Sequence, residues 1–213
     1  MDNLNTSLFD YASQNSSPEP VLLKELRRET WQKILNPRML SGHLQGRLLS
    51  FISRIVQPKK ILEIGTYTGY ATLCLAEGLQ EDGYIITIDK NEELLPIQEK
   101  YFKKSNFKAQ IKNIIGDAQT IIPTLEETFD LVFIDGQKTE YKSYFDYVFP
   151  KVKKGGIILS DNVLWYGKVL HLEKFDDVET QSIYSYNEYL KDYKGIDYLI
   201  LPLRDGLSIC VKK

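Results

Sequence analysis

Four residues near the middle and end of the chain could do chemistry together: Asp135, Lys138, Asp161 and Asn162. Each acid follows a short apolar run, Leu131–Ile134 or Ile157–Ser160, of the kind that forms a strand covered on both faces. Ligands of open α/β sheets gather beyond the carboxyl ends of the strands, so acids at two neighbouring ends could converge. Three oxygen donors without histidine or thiolate suit a hard cation. Magnesium takes about six oxygens and few of them from protein, which leaves places for water and for a substrate with two adjacent oxygens. Lys138 lies on the first turn of the helix after Asp135. Beside a divalent cation its ammonium would tend to lose its proton. The amine would then be placed as general base for a hydroxyl.

A second constellation surrounds the run from Ile61 to Tyr70, ILEIGTYTGY, where an apolar strand enters a glycine turn and a helix pattern follows. A dinucleotide fold wants three glycines there, the middle one bare for a pyrophosphate. Here the turn is Gly65-x-x-x-Gly69, and Tyr67 would obstruct that approach. Glu63, inside the strand, would repel phosphate and suit a cation. A ligand with adenine, ribose and positive charge but no phosphate fits: S-adenosylmethionine. Asp89 ends the next strand, 24 residues after Gly65, where a carboxylate can accept both ribose hydroxyls. Gly116-Asp117-Ala118 ends the third strand, and Ala118 can lie against an adenine ring.

The elements that must position these residues follow from periodicity. Helical patterns run from Pro20 to Leu35, stopped by Asn36-Pro37, and from Ser41 to Val56, stopped by Pro58. Strand and helix then alternate: Ile61–Ile64, Tyr70–Leu79, Tyr84–Ile88, a helix capped by Asn91 and ending near Lys104, Gln110–Ile115, Gln119–Leu125, Leu131–Ile134, Thr139–Val152 and Ile157–Ser160. After a segment of about 18 residues, too long for a plain connector, a helix is expected near Thr180–Asp192. Tyr198–Leu201 and Leu207–Val211 should pair antiparallel across a short turn. The fold class is therefore α/β: a Rossmann-like, doubly wound, mostly parallel seven-stranded sheet with an antiparallel C-terminal hairpin and extra N-terminal helices. Residues 1–17 read as a polar arm, mobile or bound to a partner, and residues 18–213 as a single domain.

Composition sets outer bounds. A chain of 213 residues with 43% hydrophobic and 26% charged residues is long enough for one domain with a full core. A net charge of −2 gives no field to draw nucleic acid or an anionic membrane. Cys74 and Cys210 lie too far apart for a metal motif and read as small buried hydrophobes. No apolar run is long enough to span a bilayer. Met1-Asp-Asn-Leu-Asn lacks the features of a signal peptide. A cytoplasmic setting is the expectation.

With these residues in view the chain is similar to a known group. LEIGTYTGY from Leu62 to Tyr70, FIDGQK from Phe133 to Lys138, Gly155-Gly156 through Asp161-Asn-Val-Leu-Trp165, and Asp205-Gly-Leu207 resemble the cation-dependent O-methyltransferases. That group holds catechol O-methyltransferase and the caffeoyl-CoA O-methyltransferases. The glycine turn is shared by many methyltransferases; the set Asp135, Lys138, Asp161, Asn162 is far more specific.

The resemblance implies roles. Asp135, Asp161 and Asn162 match metal ligands for magnesium, manganese or calcium, and Lys138 the catalytic base. Asp89 matches the ribose carboxylate, and Glu63 and Gly65 the methionine end of the cofactor. Met39 and Ser41 match a segment that closes over it, and Ala118 an adenine contact. The cofactor set, with Tyr67 and Asp135 at its border, is thus Met39, Ser41, Glu63, Gly65, Tyr67, Asp89, Ala118 and Asp135. Trp165 and Tyr166 follow the metal ligands and read either as pocket wall beside Lys138 or, for Trp165, as core. The implied reaction is methyl transfer to one hydroxyl of a catechol-like phenol, in a homodimer. Two positions depart from the group: Gln137 stands where many relatives carry a second aspartate, and Tyr198–Arg204 holds no acid.

Other readings compete. Asp135 alone could cap a helix, and Asp161-Asn162 alone could form an Asx turn. Tyr141, Tyr144 and Tyr147 recur at helical spacing, which packing explains better than base stacking. A tRNA hydroxyuridine acceptor on the same scaffold would call for a basic face, with Lys103, Lys104, Lys108 and Lys112 as candidates. His43 and His171 stand alone and read as surface or packing residues.

Overall fold

A computed structural model describes residues 2–213, with side chains from Ser7 onward. Seven strands form one sheet: β1 (Lys60–Ile64), β2 (Tyr84–Asp89), β3 (Ile111–Ile115), β4 (Phe129–Ile134), β5 (Val152–Asp161), β6 (Ile196–Leu201) and β7 (Leu207–Lys212). Their order is β3-β2-β1-β4-β5-β7-β6. The first five are parallel neighbours; β7 runs antiparallel to both β5 and β6. The expected doubly wound sheet with an antiparallel C-terminal hairpin is what forms.

The helices are α1 (Asp2–Gln14), α2 (Val21–Lys33), α3 (Gly42–Val56), α4 (Tyr70–Ala76), α5 (Leu95–Lys104), α6 (Ala118–Thr124), α7 (Tyr141–Val148) and α8 (Val178–Asp192). Alternation along the buried strands sorts the core into two layers. Leu62, Ile64, Val132 and Ile134 face a layer that holds Phe145, Ile183 and Tyr186. Ile61, Leu131 and Phe133 face the other, with Leu26, Leu49, Leu75 and Tyr101. Cys74 and Cys210 are free and buried, one in each layer.

Four expectations need correction. The arm is helical from Asp2 to Gln14, and Ser13 Oγ lies 2.9 Å from His43 Nδ1, so α1 is tied to α3. The helix expected over Thr139–Val152 is α7 flanked by 3-10 turns at Lys138–Glu140 and Phe149–Lys151, the second forced by Pro150. Strand β5 begins at Val152, five residues early, because Gly155 at φ +77° lets it bulge. While β4 advances from Phe129 to Leu131, β5 advances from Val152 to Ile157. The helix expected over Tyr70–Leu79 stops at Ala76. Among the described residues no helix is long and apolar enough to cross a membrane.

Candidate active site

Register builds the acidic end of the site. Ile134 on β4 pairs with Ser160 on β5, so Asp135 and Asp161 follow at neighbouring strand ends. Asp161 is 3% exposed. Its Oδ1 accepts the Asn162 N–H at 2.9 Å and its Oδ2 accepts Gln45 Nε2 at 2.6 Å. Burial, then the charge of Asp135, pushes its carboxyl above the ordinary aspartate range. Asn162 sits at φ +58°, a left-handed turn that an asparagine tolerates.

Lys138 is the cation of the cluster. Its Nζ donates to Asp135 Oδ1 at 2.8 Å and to the Tyr141 hydroxyl at 2.6 Å. Tyr141 in turn donates to the Asp161 carbonyl at 3.0 Å. Burial, then the charges of Asp135 and Asp161, hold the Tyr141 hydroxyl well above its ordinary value, so it stays neutral. Among the described residues no three His, Cys, Asp or Glu side chains cluster as a metal site. Two carboxylates, Asp161 buried and Asp135 partly exposed, and the amide of Asn162 are the oxygen donors that could hold a cation here. Oxygen donors alone fit a hard divalent cation.

The glycine turn builds the other half. Gly65 has φ +97°, and a Cβ there would lie 2.2 Å from the Asp135 carbonyl oxygen. The first turn of the sheet is thus pressed against the end of β4. Tyr67, at φ +48°, donates its N–H to Asp89 Oδ2 at 2.7 Å, and Asn91 N–H donates to Oδ1 at 2.9 Å. Both Asp89 oxygens keep a lone pair for further donors. Glu63 is fully buried; its Oε2 takes the Thr72 hydroxyl and, at 2.5 Å, the Thr87 hydroxyl, while Oε1 has no partner. Ala118 is buried at the start of α6, which Asp117 caps through Gln119 N–H at 2.8 Å. Met39 is exposed in the 3-10 turn before α3, and Ser41 is buried at the N-cap position of α3. Tyr67 reaches that segment with its hydroxyl, 3.2 Å from the Asn36 carbonyl.

Beside Asn162 the chain turns through Trp165 and Tyr166, both left-handed at φ +45° and +56°. Tyr166 N–H donates to Asp205 Oδ1. A cavity of about 400 Å³ opens there, lined by Leu164, Tyr166, Gly167, Val169, Leu170, Arg204 and Asp205. Trp165 packs on the core and does not line it; its buried Nε1 has no partner. Gln137, the departure from the family pattern, accepts from Lys90 Nζ at 2.5 Å. Sequence reading missed Gln45 and Arg204. Neither ends a strand nor belongs to a motif, and contact with Asp161 and the Leu40–Ser41 segment comes only from the fold. The tyrosine stripe splits: Tyr141 and Tyr144 are buried and Tyr147 is exposed, as helix-face packing requires.

Comparison with known proteins bears on the family and the fold. The O-methyltransferase family model matches residues 13–213. A caffeoyl-CoA O-methyltransferase of Stellaria longipes is 34% identical, covering 97% of this chain and 87% of that one. Its counterpart in Populus kitakamiensis is 31% identical over 88% and 85%. An SAH-bound methyltransferase of Podospora anserina superposes with a TM-score of 0.91 at 29% identity, over 100% of this chain and 96% of that one. An O-methyltransferase of Bacillus cereus in complex with SAH gives 0.88 at 26% identity, over 97% of both chains. With the family matched from Ser13 to the last residue, the chain belongs to the O-methyltransferases.

Proposed function

We propose that this O-methyltransferase uses S-adenosylmethionine and a divalent cation, magnesium first among them, to methylate one hydroxyl of a small phenol with two adjacent hydroxyls. The observation that carries the reading is the meeting of Asp135, Asp161 and Asn162 at adjoining strand ends with Lys138 Nζ 2.8 Å from Asp135. Asp135, Asp161 and Asn162 would hold the cation, which when bound lowers the hydroxyl pKa and orients its oxygen. Lys138 is the residue placed to take the hydroxyl proton, at Nζ. To do so it must first lose one proton; the bonds to Asp135 and to the Tyr141 oxygen, 2.8 and 2.6 Å away, use two N–H groups and leave the third position of Nζ for the proton it gives up and takes back. Tyr141 cannot be the base itself, because its raised pKa keeps its proton on. Glu63, Gly65, Tyr67, Asp89 and Ala118 line the way for the methyl donor. Met39 and Ser41 lie on the segment that covers it.

The relatives named as caffeoyl-CoA O-methyltransferases and the SAH-bound neighbours support a phenolic acceptor and this methyl donor. Three of the four lysines that an RNA acceptor would need have partners of their own among the described residues, Lys108 being the exception. Lys103 pairs with Glu99 at 3.2 Å, Lys104 with Glu25 at 3.0 Å, and Lys112 lies over the Tyr84 ring. The reading includes a homodimer, supported by the exposed apolar side chains Leu8, Tyr11, Trp31, Phe51 and Ile55 on α1, α2 and α3.

The test is mass-spectrometric detection of methylated caffeic acid, with S-adenosylmethionine and either magnesium or excess chelator. Product that vanishes with chelator supports the whole reading. Product that survives chelation removes the cation, and no product in either tube removes the phenol. In the same assay Asp161→Ala is expected to abolish transfer while cofactor affinity stays within about tenfold, about 1.4 kcal/mol. Equal loss of both would overturn the assignment of Asp161 to the cation.

A further inference from the structure

We propose that Gln45 is a positioning residue for Asp161, and that Arg204 decides which way its amide faces. The inference rests on the cation reading above. Gln45 is 1% exposed on α3 and spends both ends of its amide. Its Nε2 donates to Asp161 Oδ2 at 2.6 Å, and its Oε1 accepts from Arg204 Nη1 at 3.0 Å. The same nitrogen of Arg204 also faces the Leu40 carbonyl at 3.0 Å and the Ser41 carbonyl, so its two N–H groups are shared among three acceptors.

The chemistry of the two neighbours leaves the amide no choice. A guanidinium only donates, so it must meet the oxygen; an ionised carboxylate only accepts, so it must meet the NH₂. Turned over, the amide would set its oxygen against Asp161 and its NH₂ against Arg204, leaving two repulsions where there are now two charge-assisted bonds. Arg204 therefore fixes the rotamer that Asp161 needs. Gln45 at Oδ2 and Asn162 N–H at Oδ1 then hold the carboxylate plane, each oxygen keeping a lone pair for a cation. Side chains that orient metal-ligating carboxylates in this way change metal affinity by about 10- to 100-fold when removed. Arg204 acts in a second direction too, since the Leu40–Ser41 carbonyls belong to the segment assigned to the cofactor. It stands at φ +53° in the turn between β6 and β7, on the wall of the 400 Å³ cavity. One side chain thus touches the segment proposed for the methyl donor and the amide that holds Asp161, while lining the cavity beside Tyr166.

The two residues are expected to separate in calorimetric titrations with Mn²⁺ alone and with S-adenosylmethionine alone. Gln45→Met keeps length and burial but loses the donor. It should weaken Mn²⁺ binding by about tenfold or more and leave cofactor affinity unchanged. Arg204→Met, on an exposed side chain that does not endanger folding, should weaken both ligands, and Arg204→Lys should restore part of each. Wild-type Mn²⁺ affinity in Gln45→Met overturns the positioning role. Equal losses of Mn²⁺ and cofactor affinity in Gln45→Met would mean general loosening and overturn it too. Wild-type Mn²⁺ affinity in Arg204→Met removes the control of the amide by Arg204. A wild-type chain that takes up no Mn²⁺ overturns the cation reading itself, and this proposal with it.

Discussion

Glu63 is the one acid of the site that water does not reach. Burial, and behind it the charges of Asp135 and Asp89, pushes its carboxyl up to about 8 from an ordinary 4.5. The folded chain therefore keeps a proton that the unfolded chain releases. Between those two values the unfolded state binds fewer protons, so stability falls as pH rises, from about 4.5 to about 8. Glu63→Gln removes that slope. The melting temperature of the variant relative to wild type should rise through this window and level off above it. A difference that does not change with pH would show that Glu63 is ionised throughout. That Asp135, Asp161, Asn162 and Asp89 would stand at strand ends, with Lys138 just behind Asp135, was legible before the fold was known, because apolar runs mark the strands before them. Gln45 was not: it lies 116 positions from Asp161, and no local pattern marks a buried amide that points at a carboxylate.

Among the elements, the turn after β1 constrains the most. Gly65 needs φ +97°, and its missing Cβ makes room for the backbone of Asp135. Gly65→Ala should cost more than about 1 kcal/mol from the dihedral alone, and the clash with a carbonyl adds to it. Thermal unfolding should show a lowered midpoint, and calorimetry should show weaker cofactor and Mn²⁺ binding together, because the turn and the end of β4 move as one. An unchanged midpoint would mean that the chain yields freely there. Most elements were readable from period and punctuation; Asn91 does cap, through Glu93 N–H at 3.0 Å, but it caps the 3-10 turn Glu92–Leu94 that leads into α5 and not α5 itself. Helix α1 was obscured by its serines and asparagines, although Leu4, Leu8 and Tyr11 repeat at helical spacing. The early start of β5 was hidden by Lys153 to Gly156, which read as turn letters and are a bulged strand.

For the whole molecule the expectation is a pair of chains. Light scattering should give twice the mass of one chain, and replacing exposed Phe51 and Ile55 with aspartate should return it to one. A single-chain mass for the unaltered protein would end the homodimer. Seven strands and a C-terminal hairpin were legible; the place of β7 inside the sheet, with β6 at the rim, was not, since pairing two strands does not say which lies inward. That order bears on how the chain is made. The strand that ends in Asp161 emerges from the ribosome long before β7, whose Leu207 pairs with Asp161. At about 5–20 residues per second, its ladder groups stand open for on the order of several seconds. Strand β6 appears first and could take the vacant edge, a mispairing that would shut β7 out. A nascent chain stalled before Leu207 therefore holds an unfinished active site and a sticky edge in the same strand, and chaperones that shield such edges should find it there.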